Sequence, residues 1–110
     1  MPLLERVRVE VYIPDLPHQE YWGLLYSFQE EFSYAFGGCS ILRGIDGSYL
    51  SISGKLISDR INLVYSDLPV ALSTDFATVA KYVRELKEAA ASALMEESVL
   101  ISVEQVYHYI

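Results

Sequence analysis

Cys39 is the single thiol of this 110-residue chain, and His18 and His108 are its only imidazoles. A thiol nucleophile needs an imidazole within hydrogen-bond reach to take its proton. The order of elements derived below puts Cys39 and His108 at one end of a sheet but on opposite edges, three strand spacings of about 4.8 Å apart. It puts His18 at the other end. No Cys-His dyad is expected, and Cys39 reads as a small apolar residue behind a glycine cap. His18 shares its end of the sheet with Asp15, Glu20, Glu96, Glu97 and, through a turn, Asp46. An imidazole among carboxylates is a donor set for a divalent cation. No His-x-x-x-His or Cys-x-x-Cys spacing accompanies it, however, and acidic residues near a helix start answer the helix dipole. The expectation is solvated charge, with no metal site, no cofactor and no catalytic residue.

The nine tyrosines offer stacking chemistry instead. Trp22 and Tyr26 share an edge of the first predicted helix, while Tyr65 and Tyr107 point inward by strand parity. These four are the candidates to line a pocket for a small-molecule ligand, and packing is their commoner fate. Gly44-Ile45-Asp46-Gly47 is a turn and not a phosphate loop, since no Lys-Ser or Lys-Thr follows and no helix begins there. RNA binding on a sheet needs exposed aromatics ringed by basic residues. Tyr12 supplies one ring, but 8 basic against 15 acidic residues, a net charge of −7, oppose the rest. Neither nucleic acid nor an anionic membrane surface is an expected partner. No stretch approaches the ~20 apolar residues of a membrane span. With a lone cysteine, the chain is expected to be soluble and cytoplasmic.

The elements that must hold these residues follow from periodicity. Residues 6–13 alternate, with Val7, Val9, Val11 and Ile13 on one face and Arg6, Arg8, Glu10 and Tyr12 on the other. Pro14-Asp15-Leu16-Pro17 ends that strand and offers Asp15 as a helix cap. Tyr21, Leu25, Phe28, Phe32 and Phe36 recur at helical spacing, and Gly37-Gly38 stops the helix. A second strand runs over 39–43. Residues 44–54 form either a bulge followed by continued strand with a turn at Ser53-Gly54, or an extra hairpin. A third strand over 56–66 is read with Ile57, Ile61, Leu63 and Tyr65 on one face and Arg60, Asn62, Val64 and Ser66 on the other. A second helix, capped by Ser73, Thr74 or Asp75, carries Phe76, Val79, Val83, Leu86, Ala90 and Leu94 inward. The fourth strand, from Val99 to the end, is expected to be the longest.

Strand, helix, strand, strand, helix, strand over a single domain, 1–110, resembles the ferredoxin-like superfamily. The resemblance implies an α+β fold with an antiparallel sheet of order 4-1-3-2 and both helices on one face. The Gly37-Gly38 junction followed by the Gly44 to Gly47 turn is similar to small uncharacterised families of this fold. The uncovered face then mixes charge with Val64, Leu100 and Val106, too apolar for a solvated face and too charged for a hydrophobic dimer core. Val64, Leu100, Val106, Arg8, Glu104 and Tyr109 are the interface candidates. The functional expectation is a self-associating binding, regulatory or scaffolding module, a dimer first, and not an enzyme. The alternative is a cofactor-independent enzyme resembling the dimeric α/β-barrel kind, or a small-molecule sensor.

Overall fold

In the computed structural model, which describes residues 3–94 and 99–109, the alternating valines build the central strand. β1 (Leu3–Pro14) buries Val7, Val9, Val11 and Ile13 completely. α1 (Gln19–Phe36) lays Tyr21, Leu24, Leu25, Phe28 and Phe32 against them. It ends at Gly37, whose φ of 85° lets its N–H donate back to the Ser33 carbonyl, a left-handed cap that a Cβ would oppose. β2 (Ser40–Leu50) and β3 (Leu56–Leu68) form a hairpin, α2 (Leu72–Leu94) returns across the sheet, and β4 (Leu100–Tyr109) closes it. All pairings are antiparallel, in the order β2-β3-β1-β4, which is the expected order counted from the opposite edge. One cluster joins the buried face of β1 to Val64 and Leu68 of β3 and to both helices, including Val79, Leu86 and Ala90 of α2. Neither of the two described helices lies against the reverse face of the sheet.

The structure corrects the sequence reading at several points. The third strand was expected to point Val64 and Asn62 away from the helices; they point toward them, because Val11 pairs with Val64 and Ile13 with Asn62. Val64 is fully buried, and Ile61, Leu63 and Tyr65 lie on the open face. The reason is visible in the two polar residues of the buried row. Asn62 accepts from the Gly44 N–H at 2.9 Å, and its amide approaches Asp15 at 3.3 Å. Ser66 donates to the Gly38 carbonyl at 2.7 Å. Each buried polar group satisfies backbone that the bulge or the cap leaves unpaired, which removes the penalty of its burial.

Of the two possibilities for residues 44–54, the bulge is realised. Pairing shifts between Leu42 and Ile45, and β2 then continues to Leu50 before a turn over 51–55. Gly44 sits there at φ 64°, with the Arg60 guanidinium 2.7 Å from where a Cβ would stand. Beyond Pro14, which pairs with Ile61, β1 stops while β2 and β3 go on. The result is a two-stranded arm whose tip exposes Leu50, Ile52 and Leu56, and the molecule measures 48 × 27 × 24 Å.

Asp15 is not the cap of α1. That position is His18, which makes no side-chain capping bond, whereas Asp15 faces Asn62 and, at 3.8 Å, Arg60. α2 begins at Leu72, ahead of the expected caps, and is interrupted at Asp75, whose carboxylate accepts from the Ala71 N–H at 3.0 Å. Phe76 shares a groove with Val79 and Val83 as expected of the stripe, but it is exposed and not buried. β4, at 10 residues, is shorter than β3 at 13.

Candidate functional site: the open sheet face

Antiparallel pairing sets side chains of the open face in rows that cross the strands. One row, from β2 to β4, is Leu42, Leu63, Tyr12 and Leu100. Leu63 is 8% exposed within the single chain, whereas Leu42 and Leu100 stand 50% and 62% exposed. An in-register apolar band thus spans all four strands on the side away from the helices.

Two rows along, Asp67, Arg8 and Glu104 lie side by side on β3, β1 and β4. Arg8 grips Asp67 with two bonds, Nε to Oδ1 at 2.7 Å and Nη2 to Oδ2 at 2.9 Å. Its guanidinium lies 4.5 Å from the centre of the Tyr65 ring. A planar fork that binds a carboxylate twice and stacks on an aromatic is arginine chemistry that lysine does not reproduce. His108 reaches the same carboxylate, Nε2 to Oδ2 at 2.7 Å. An ionised carboxylate only accepts, so Nε2 carries the proton in this contact. The paired Arg8 holds the Asp67 carboxyl below the usual range, with His108 adding to it, and Asp67 in turn raises Arg8. Glu10 moves the other way. Partial burial and the neighbouring Glu104 raise it, against a weak bond from Ser102 at 3.4 Å.

Chemically, this face offers an apolar band, a mutually satisfied set of Arg8, Asp67 and His108, and a like-charged pair in Glu10 and Glu104. Cys39 packs on the edge of the core, 3.9 Å from the Ser33 hydroxyl and the Gln29 carbonyl, at the opposite sheet edge from His108. Among the described residues no group of three or more His, Cys, Asp or Glu side chains is placed to hold a metal ion. Glu96 and Glu97 lie outside the described residues, and Asp15 and Asp46 are neighbours of Arg60, at 3.8 and 3.6 Å.

Of the interface candidates, Leu100, Val106, Arg8 and Glu104 are on the open face, and Val64 is in the core. Tyr109 and the pocket candidate Tyr107 pair with Leu3 and Glu5, which puts them on the helix side of the sheet; both are exposed. Tyr65 was expected inward but supports Arg8 from the open face. Trp22 and Tyr26 are exposed on α1, and Glu30 raises the Tyr26 phenol by accepting its hydrogen bond. Sequence reasoning missed Asp67, Leu63 and Leu42. The signal that finds them is the register of β3 on β1, since fixing Val64 opposite Val11 brings Asp67 to Arg8 and Leu63 to Tyr12.

The fold is similar to those of two solved structures. A phage SAM lyase in complex with S-methyl-5'-thioadenosine is 14% identical with a TM-score of 0.53, over 96% of this chain and 90% of that one. CutA1 from Oryza sativa is 17% identical with a TM-score of 0.48, over 97% and 83%. No family model and no curated protein matches the sequence. No described helix is long and apolar enough to cross a membrane. The chain has a βαββαβ, ferredoxin-like fold.

Proposed function

We propose that this chain is a self-associating module of cytoplasmic setting, in which copies meet through the open sheet face, a dimer being the first assembly to look for. The observation that carries the reading is the row Leu42, Leu63, Tyr12 and Leu100, in register across the four strands, with Leu42 and Leu100 exposed at its two ends. Burying such a row gains about 25 cal/mol per Å² of apolar surface. Of the flanking charges, Arg8, Asp67 and His108 satisfy one another, whereas Glu10 faces the like charge of Glu104 and adds a cost to burial of this face. β4 adds an open edge beside the same row, with Leu100 at its start. A binding, regulatory or scaffolding role follows from such an assembly.

Sedimentation at tens of micromolar tests the reading. A dimer or larger species is expected, converted toward monomer by Leu100→Asp, a change at a position 62% exposed in the single chain. A monomer throughout sinks it.

A second reading is a small-molecule enzyme or sensor, and one observation favours it. The phage SAM lyase that shares this fold holds S-methyl-5'-thioadenosine, and the open face supplies Arg8, Asp67, His108 and Glu10 as polar groups for a ligand. Calorimetric titration with that thioether nucleoside, repeated on Asp67→Asn, decides. Absence of saturable heat removes this second reading and leaves the first intact.

A further inference from the structure

α1 and α2 are pinned together at one end and stand apart at the other. Near the end of α1 the Tyr82 hydroxyl donates to Glu31 at 2.6 Å, and the Tyr82 ring meets Phe36 edge-on at 5.5 Å. Toward the start of α1 the facing residues are Gly23 and Ser27, opposite Ala89, Ala90 and Ala93 of α2. These side chains are too short to close the gap that close packing would fill. A groove of about 500 Å³ remains, with Leu24, Phe28 and Leu86 as its apolar walls. Small-molecule sites have volumes of roughly 300–1,000 Å³ and combine apolar walls with a few polar groups.

The charged side chains that line this groove, among the described residues, are both carboxylates. Glu20 stands at its open end in the first turn of α1, and Glu31 at the pinned end. The strands that lead into the two helices, β1 and β3, run antiparallel, so the helices do as well, and Ala93 in the last turn of α2 lines the groove together with Glu20.

We infer that this groove binds an apolar organic cation, a primary amine whose hydrocarbon part lies among Leu24, Phe28 and Leu86 and whose ammonium sits beside Glu20. Glu31 is the poorer counter-charge because it already accepts the Tyr82 hydroxyl. The site lies on the helix side of the molecule and does not depend on self-association through the open face.

Calorimetric titration of the full chain with octylammonium, octanol and octanoate tests it. The ammonium should bind saturably and about fivefold tighter than the alcohol, the size of a partly exposed charge pair, with the carboxylate weakest. Glu20→Gln should bring the ammonium to the affinity of the alcohol. Gly23→Leu, at a position where an added Cβ meets nothing within 4 Å, should fill the groove and abolish binding of all three while circular dichroism keeps the helical signal. Ala93→Leu, also exposed, repeats that test should the first variant fold poorly. Wild-type protein that takes up no octylammonium overturns the inference. So does a folded groove-filling variant that binds as before, or alcohol and carboxylate that bind as tightly as the amine.

Discussion

On the helix-covered face Val9 lies between Ser66 and Val103, whereas one residue back along β1, on the reverse face, Arg8 lies between Asp67 and Glu104. The same strand, with the same partners, answers to two kinds of physics. Toward the helices, burial is complete and shape decides, so a neighbour matters by the volume it fills. Toward the open side, burial is partial and each charge is tolerable only because another charge or hydroxyl meets it. A strand that is apolar on one side and charged on the other still fixes its register from both sides, because a slip of one residue would exchange the two sets.

The strongest way to break the comparison is to damage the covered face. Phe32→Ala removes a fully buried ring from the centre of the cluster and should cost about 3–5 kcal/mol in urea unfolding. A loss under 1 kcal/mol would mean the helix side is not the structural core.

Next in size is Asp67→Asn, which takes the charge from a carboxylate that Arg8 and His108 share and should cost about 1.5–3 kcal/mol at pH 7. The pH dependence sharpens the expectation. The folded Asp67 carboxyl lies below its unfolded value of about 3.9. Its stabilisation is therefore fully present above that value and is lost as pH falls through the lower folded one. The wild-type stability curve should drop below pH ~4, and the curve of the variant should be flatter there.

Gly44→Ala comes third, at about 1 kcal/mol for the left-handed backbone. The Arg60 side chain must also swing away from the new methyl, which a loss of the Arg60 contact with Asp46 would register by NMR. Smallest is Glu10→Gln, which should stabilise by under about 1 kcal/mol at pH 7. The folded Glu10 carboxyl is raised, so its ionisation costs stability above the folded value and costs nothing below the unfolded value of about 4.3. The benefit of the glutamine should vanish by pH ~3.5. A benefit that persists there assigns it to packing and not to charge.

The covered face was legible from the sequence wherever alternation was unbroken. Val7, Val9, Val11 and Ile13, and the helical recurrence of Tyr21, Leu25, Phe28 and Phe32, give β1, α1 and their contact directly. β3 was not legible in the same way, because Asn62 and Ser66 look like solvent-facing residues and are buried. Their polarity answers the Gly44 N–H and the Gly38 carbonyl, groups contributed by other parts of the chain that no local pattern reveals. Once the face of β3 is reversed, the partner of Arg8 changes too, and the bidentate pair with Asp67 disappears from view. Phe76 keeps the stripe of Val79 and Val83 but stands 68% exposed, because it borders an open groove between α2 and β4 lined also by Ile101 and Val103.

The outgrowth of β2 and β3 past the end of β1 has a dynamic corollary. A lone pair of strands is marginal in water, so the amides between 47 and 58 should trade hydrogen for deuterium by local opening, long before those of β1 do so by global unfolding. The lifetime of that opening is a built-in gauge of occupancy: any surface that settles on Leu50, Ile52 and Leu56 will slow exchange there first, without perturbing the interior.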